Sequence, residues 1–213
     1  MAFQQLMSAI VVTGMALLAT VQAGSAEPYR IVGFGDSLMA GYGLAPGESY
    51  PEKLQAALKA QGYDVTVANA GVSGDTTSGG LARLDWSIPD GTQLVILELG
   101  ANDMLRGVSP ASVEKNLDAM LAKLAQKNVA VLLAGMRAAP NLGPDYQAAF
   151  DGIFPKLAKK YGVAFYPFFL DGVVADRGFL LDDGMHPNAE GIDRMVERVL
   201  PSVERIIGTN PDA

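Results

Sequence analysis

Cysteine is absent from all 213 residues. That excludes disulfides, a thiolate nucleophile and any cysteine-ligated metal site. Histidine occurs once, at His186, and tryptophan once, at Trp86. With one histidine and no cysteine, a metal centre would need carboxylates, and the pair Asp182-Asp183 has no partner cluster in the sequence. Basic runs are missing as well. Lys and Arg number 16 against 23 Asp and Glu, a net charge of −7, so a phosphate backbone would be repelled and nucleic acid is not an expected partner. Internal repeats and low-complexity segments are absent, and a chain 49% hydrophobic and 18% charged is globular. At this length it suffices for one domain with a full core.

The first 26 residues carry no charged side chain. Leu6 to Val21 is an apolar run broken by Ser8, Thr13, Gly14 and Thr20, and the small residues Ala23-Gly24-Ser25-Ala26 follow it. This pattern reads as a secretory signal cleaved after Ala26, which leaves residues 27–213 as the mature domain in the periplasm or outside the cell. The alternative is an uncleaved membrane anchor, for which the run is shorter than the roughly 20 residues a spanning helix needs. After cleavage no stable membrane insertion is expected.

From Tyr29 onward, short apolar runs alternate with amphipathic segments. Strands are expected at residues 29–34, 64–68, 93–99, 128–134 and 163–166. Helices are expected from the capping box Ser49-Tyr50-Pro51-Glu52 to Gly62, at 76–86, from Ser109-Pro110 to about Gln126, from Gly143-Pro144 to about Tyr161, and from about Asn188 to Ile207. Strand and helix alternating five times predict an α/β fold: a three-layer α/β/α sandwich around a five-stranded parallel sheet, flavodoxin-like in arrangement. Ligands in such sheets bind beyond the carboxyl ends of the strands. Three distinctive motifs are expected there, after strands one, two and three, and a fourth in the loop before the last helix.

Those motifs carry chemistry. Ser37 follows the first strand in Gly35-Asp36-Ser37-Leu38. Taken alone it could be a helix cap. The lone histidine lies three residues after Asp183 in Asp183-Gly184-Met185-His186, a spacing that lets a carboxylate reach one imidazole nitrogen while the other faces a substrate. Asp182 is read as solvated or loop-bracing. Gly71, in Asn69-Ala70-Gly71, is either a turn glycine or a place where a bare backbone N–H approaches developing negative charge. Asn102, in Gly100-Ala101-Asn102-Asp103, could brace a turn or donate its amide to the same oxyanion. The Gly-x-Ser-x-Gly elbow is absent because position 39 is methionine, which disfavours an ordinary α/β-hydrolase.

Serine, glycine, asparagine and histidine in these four motifs, in this order, resemble the SGNH (GDSL-type) hydrolases. The segments Gly71-Val72-Ser73-Gly74-Asp75-Thr76, Gly80-Leu81-Ala82-Arg83-Leu84 and Phe154-Pro155-Lys156-Leu157-Ala158 are similar to the branch of bacterial periplasmic thioesterase I, lysophospholipase L1 and arylesterase. The resemblance runs from about Tyr29 to Leu200. It implies Ser37 as nucleophile, His186 as base, Asp183 as its orienting partner, and an oxyanion hole from Ser37, Gly71 and Asn102. The implied activity is hydrolysis of small acyl esters and thioesters by a monomer through an acyl-enzyme, with no cofactor and no metal. Leu38, Met136 and Met185 are candidate walls of an acyl pocket, with the loop from Met136 to Pro144 along its border.

Competing expectations are a carbohydrate O-acetyl esterase on the same fold and a flavodoxin-like nucleotide-binding module. The second is disfavoured because position 38 is leucine where the dinucleotide fingerprint needs glycine, and because Asp36 would face the phosphate. Arg83 and Arg106 are read as surface or loop-bracing charges, and Trp86 as packing.

Overall fold

The computed structural model describes residues 27–208. The expected signal segment lies outside the described residues. The strands are β1 (Tyr29–Gly35), β2 (Val65–Gly71), β3 (Leu94–Glu98), β4 (Ala130–Ala134) and β5 (Ala164–Tyr166), all parallel and in the order β2-β1-β3-β4-β5. The helices are α1 (Ser37–Ala40), α2 (Tyr50–Ala60), α3 (Thr77–Ser87), α4 (Ala101–Leu105), α5 (Pro110–Gln126), α6 (Pro144–Asp151), α7 (Ile153–Tyr161) and α8 (Ala189–Gly208). Helices α2 and α8 pack together on one face of the sheet, and α3, α5, α6 and α7 form the layer on the other. This is the three-layer sandwich expected from the sequence.

Every residue of β3 is buried, as a strand covered on both faces requires. The side chains Phe34, Tyr50, Leu54, Leu58, Phe150 and Phe154 are fully buried on either side of the sheet. The Ser49–Glu52 capping box opens α2, with Ser49 N–H and hydroxyl both donating to Glu52 at 3.1 and 2.6 Å.

Two elements and one side chain differ from expectation. The expected helix from Gly143 to Tyr161 is two helices that part at Gly152. Pro155 lacks the N–H that would bond the Asp151 carbonyl, and its ring crowds that carbonyl. Strand β2 does not stop at Ala68 but pairs with β1 as far as Gly35 opposite Gly71, so Gly71 is the last residue of a strand rather than part of the turn after it. A Cβ on Gly71 would collide with the backbone of Ala40, so the absence of a side chain is what admits α1. Trp86 is 75% exposed and does not pack in the core.

Arg83 is buried rather than on the surface. Its guanidinium donates to Asp75 at 2.7 Å, to the Ala70 carbonyl at 2.8 Å and to the Gly35 carbonyl at 2.9 Å, and lies 3.9 Å from the Phe34 ring centre. It ties the carboxyl ends of β1 and β2 to α3. Arg106 braces a loop as expected, donating to the Gly74 carbonyl at 2.8 Å.

Glu98, the last residue of β3, is fully buried, and a Cβ on Gly35 would collide with it. Its Oε2 accepts the Asp36 N–H at 3.2 Å, while Oε1 has no hydrogen-bond partner among the described residues. Burial first, and the neighbouring Asp36 charge second, push its pKa well above the usual carboxylate range.

Two expectations follow for stability. Arg83→Met leaves the largely buried Asp75 carboxylate without its ion-pair partner and frees the Gly35 and Ala70 carbonyls, and should lower the unfolding free energy by about 3 kcal/mol; a denaturant midpoint unchanged from the parent would contradict the role assigned to this arginine. Glu98→Gln removes a group that keeps its proton when folded and releases it in the ordinary carboxylate range when unfolded. Rising pH therefore favours the unfolded parent, by at most about 1.4 kcal/mol per pH unit, but not the variant. Thermal unfolding at pH 5, 6 and 7 should show the variant gaining on the parent by roughly 3 °C per unit. A constant difference across that range would show that Glu98 is ionised in the folded state.

Candidate active site

The strand order reverses beside β1, with β2 on one flank and β3 on the other. Crevices open at such a point beyond the carboxyl ends. The turn after β1 delivers Asp36 and Ser37 there, and the turn after β3 delivers Asn102. Asp36 is the N-cap of α1, and its Oδ1 accepts the Leu38 N–H at 3.0 Å. Ser37 is the first residue of α1, so its own N–H has no acceptor within the helix. Asp36 Oδ2 accepts one amide hydrogen of Asn102 at 3.0 Å, which orients the amide and leaves its second hydrogen unused.

The third contributor is the loop before α8. Leu181 donates its N–H to the His186 carbonyl at 2.8 Å, and Leu180 forms an antiparallel bridge with Pro187. Asn188 then joins loop to helix: its amide donates to the Gly178 carbonyl at 2.8 Å and its side-chain oxygen accepts the Gly191 N–H at 2.9 Å. Within this loop Asp183 Oδ1 accepts the backbone N–H groups of Met185 and His186 at 2.9 and 3.0 Å, around Gly184 at φ +69°. The other carboxylate oxygen lies 2.6 Å from His186 Nδ1. Far along the chain but close in space, His186 Nε2 lies 3.0 Å from Ser37 Oγ.

These contacts assign the protons. A carboxylate only accepts, so the imidazole hydrogen sits on Nδ1, and Nε2 is left to accept from the serine hydroxyl. The His186 N–H first, then that of Met185 and then the imidazole, hold the Asp183 pKa down at about 2, so it is a carboxylate in all but strongly acidic solution. Asp36 behaves oppositely. Burial, only partly offset by its hydrogen bonds from Leu38 and Asn102, pushes its pKa up to about 6. Asp182 is exposed and makes no side-chain hydrogen bond to the other described residues.

A cleft of about 580 Å³ opens in front of Ser37, His186 and Asn102. The residues marked from sequence as pocket walls, Leu38, Met136 and Met185, all line it, and so does the loop from Met136 to Pro140. Leu38 and Met136 are buried, whereas Met185 stands exposed at the rim. The sequence reading missed most of the remaining apolar wall, which comes from Met104, Leu105, Phe168, Leu170, Val174 and Leu180. No local pattern marks these residues, because they converge from two separate loops and a short helix. It also missed Asp36 and Glu98, although a lone carboxylate in the otherwise apolar β3 was a visible signal. Among the described residues no cluster of three or more His, Asp or Glu could hold a metal ion.

One candidate oxyanion donor differs in its present partner. The Gly71 N–H donates to Asn69 Oδ1 at 2.9 Å, and the Asn69 amide in turn donates to the Ala40 carbonyl at 3.3 Å. Among the described residues, the Ser37 N–H and the second amide hydrogen of Asn102 have no protein acceptor, and both residues line the cleft.

Comparison with known proteins places this geometry in context. The sequence model of the GDSL-like lipase/acylhydrolase family matches residues 34–194. The chain is 38% identical to esterase TesA of Pseudomonas aeruginosa over 94% of its own length and all of that protein's. It is 36% identical to thioesterase 1/protease 1/lysophospholipase L1 of Escherichia coli K12, covering 88% of this chain and 90% of the relative. Among solved structures, the SGNH-hydrolase esterase AlinE4 superposes with a TM-score of 0.73 at 46% identity, covering 85% of this chain and 98% of the other. A match that spans all four motifs in full, together with relatives of this identity along nearly their whole length, shows that the chain belongs to the GDSL-like lipase/acylhydrolase family, the SGNH hydrolases.

Proposed function

We propose that the protein is an exported serine esterase that hydrolyses acyl esters and thioesters of apolar acids. The observation that carries the reading is the hydrogen-bond chain from Ser37 through His186 to Asp183 at the edge of a mainly apolar cleft. The esterase and thioesterase names of the relatives support it.

In this reading Ser37 Oγ attacks the acyl carbonyl while His186 Nε2 takes its proton. The imidazolium is stabilised by the Asp183 carboxylate at Nδ1. The carbonyl oxygen, now negative, is held by the Ser37 N–H and the free amide hydrogen of Asn102, and the Gly71 N–H joins them on release from Asn69. Collapse of this intermediate transfers the proton from His186 to the departing alcohol or thiol. Water, deprotonated by His186, then attacks the acyl-enzyme and frees the acid. Asp36 is the positioning residue for Asn102.

The cleft discriminates between substrate classes. Its walls are mainly methionine, leucine, alanine, valine, phenylalanine and proline, and among the described residues that line it Arg137 is the only lysine or arginine. Acetylated sugar would find few hydroxyl partners there, whereas an acyl chain or aryl group would be desolvated at no polar cost. Export rests on the apolar run Leu6 to Val21 and the small residues ahead of Glu27.

Hydrolysis of p-nitrophenyl esters from acetyl to palmitoyl should show a rate that Ser37→Ala and His186→Ala each lower at least about 10³-fold. Asn102→Ala should lower kcat about 10²–10³-fold with KM little changed. Full activity in His186→Ala would rule out this mechanism, and preference for acetylated sugars over every acyl ester would move the protein to the carbohydrate esterases. When the full chain is expressed in a bacterium, the periplasmic fraction should yield protein whose first residue is Glu27; an intact amino terminus retained in the membrane would replace the signal with an anchor.

A further inference from the structure

Tyr42 is 51% exposed, yet its ring centre lies 4.4 Å from that of His186 with the planes 37° apart. Tyr42 is not among the residues lining the cleft, although His186 and both residues before it are. It meets the imidazole without lining the cleft. Its hydroxyl makes no hydrogen bond with the described residues, so the ring is held by its backbone and by the imidazole itself.

The backbone is held firmly. The Tyr42 N–H donates to the Ser37 carbonyl at 3.2 Å, which sets the ring at a fixed distance from the serine. Gly41 and Gly43, at φ +85° and +74°, flank it in a left-handed turn that non-glycine residues adopt at a cost. A Cβ on Gly43 would come within 2.6 Å of Leu181, the residue whose N–H bonds the His186 carbonyl. The turn that carries Tyr42 is thus wedged against the loop that carries the histidine.

We propose that Tyr42 is a positioning residue for His186: its ring keeps the imidazole in line with Ser37 and stabilises the positive charge that the imidazole acquires on taking the serine proton. The proton passes from Ser37 Oγ to His186 Nε2, and the cation so formed has the Asp183 carboxylate at one nitrogen and an aromatic face within the roughly 6 Å over which a cation and a ring attract. The charge exists after proton transfer and not in the resting enzyme, so the interaction acts on the rate and not on substrate binding. This inference rests on the proposed role of His186.

The test compares the full chain with Tyr42→Phe, Tyr42→Leu, Tyr42→Met and His186→Ala on one p-nitrophenyl ester, and records the proton shifts of the imidazole ring, which are unambiguous in a chain with one histidine. The phenylalanine variant should stay within about twofold of the parent. The leucine and methionine variants should lose about five- to tenfold in kcat with KM within twofold, and their imidazole protons should lose the upfield ring-current shift that the parent and the phenylalanine variant share. Unchanged kcat in both aliphatic variants, a loss confined to KM, or a phenylalanine variant as slow as the leucine one would each overturn the inference. Activity retained in His186→Ala overturns the esterase mechanism itself, which separates the two failures.

Discussion

The site depends on one buried carboxylate. Asp36 sits at the end of β1 with no exposed surface, and three of its groups are committed: Oδ1 to the Leu38 N–H, Oδ2 to the Asn102 amide, and its own N–H to Glu98. These bonds fasten the turn after β1 to the end of β3 and to α4. They also decide which donors remain free. A capped helix leaves the Ser37 N–H pointing outward, and an amide anchored by one hydrogen presents the other. Loss of the Asp36 charge would therefore release the amide and loosen the serine turn together.

Burying that carboxylate beside Glu98 is unfavourable, and the surroundings show how the fold accommodates it. Arg83 lies within the same layer but spends its donors on Asp75 and on the carbonyls of Gly35 and Ala70. It holds the backbone in place without neutralising the pair directly. Burial and the neighbouring Asp36 charge push the Glu98 pKa upward, toward the neutral form, since two adjacent buried carboxyl groups cannot both ionise cheaply. Asp183 works under the opposite conditions: exposed and bonded by two backbone N–H groups, it stays ionised with ease. One carboxylate organises the site from below and the other orients the imidazole from its rim.

The cleft completes the division of labour. Hydrogen-bonding groups line its floor and apolar side chains its walls, so binding strength would come from area and orientation from a few polar atoms. Tyr42 stands outside this arrangement: its ring meets the imidazole but does not line the cleft.

The sequence by itself determined the strands, most helices and the four motifs, because each is written in local terms. A continuous apolar run makes β3, a capping box opens α2, and Asp183 stands three residues before His186, so the partner of the imidazole was legible from spacing alone. The split of the helix at Gly152 is local too, marked by Pro155. What only the tertiary structure decided are contacts between residues distant in the chain. Arg83 is buried because the carboxyl ends of β1 and β2 meet over α3, and Gly71 is required because α1 presses on it. Asp36, Glu98 and Asn102 form one unit, and Tyr42 reaches His186 across 144 positions of sequence. The apolar wall likewise exists only where separate loops converge. Local pattern dictates backbone conformation within a few residues, whereas burial, charge pairing and cleft shape arise from the packing of whole layers.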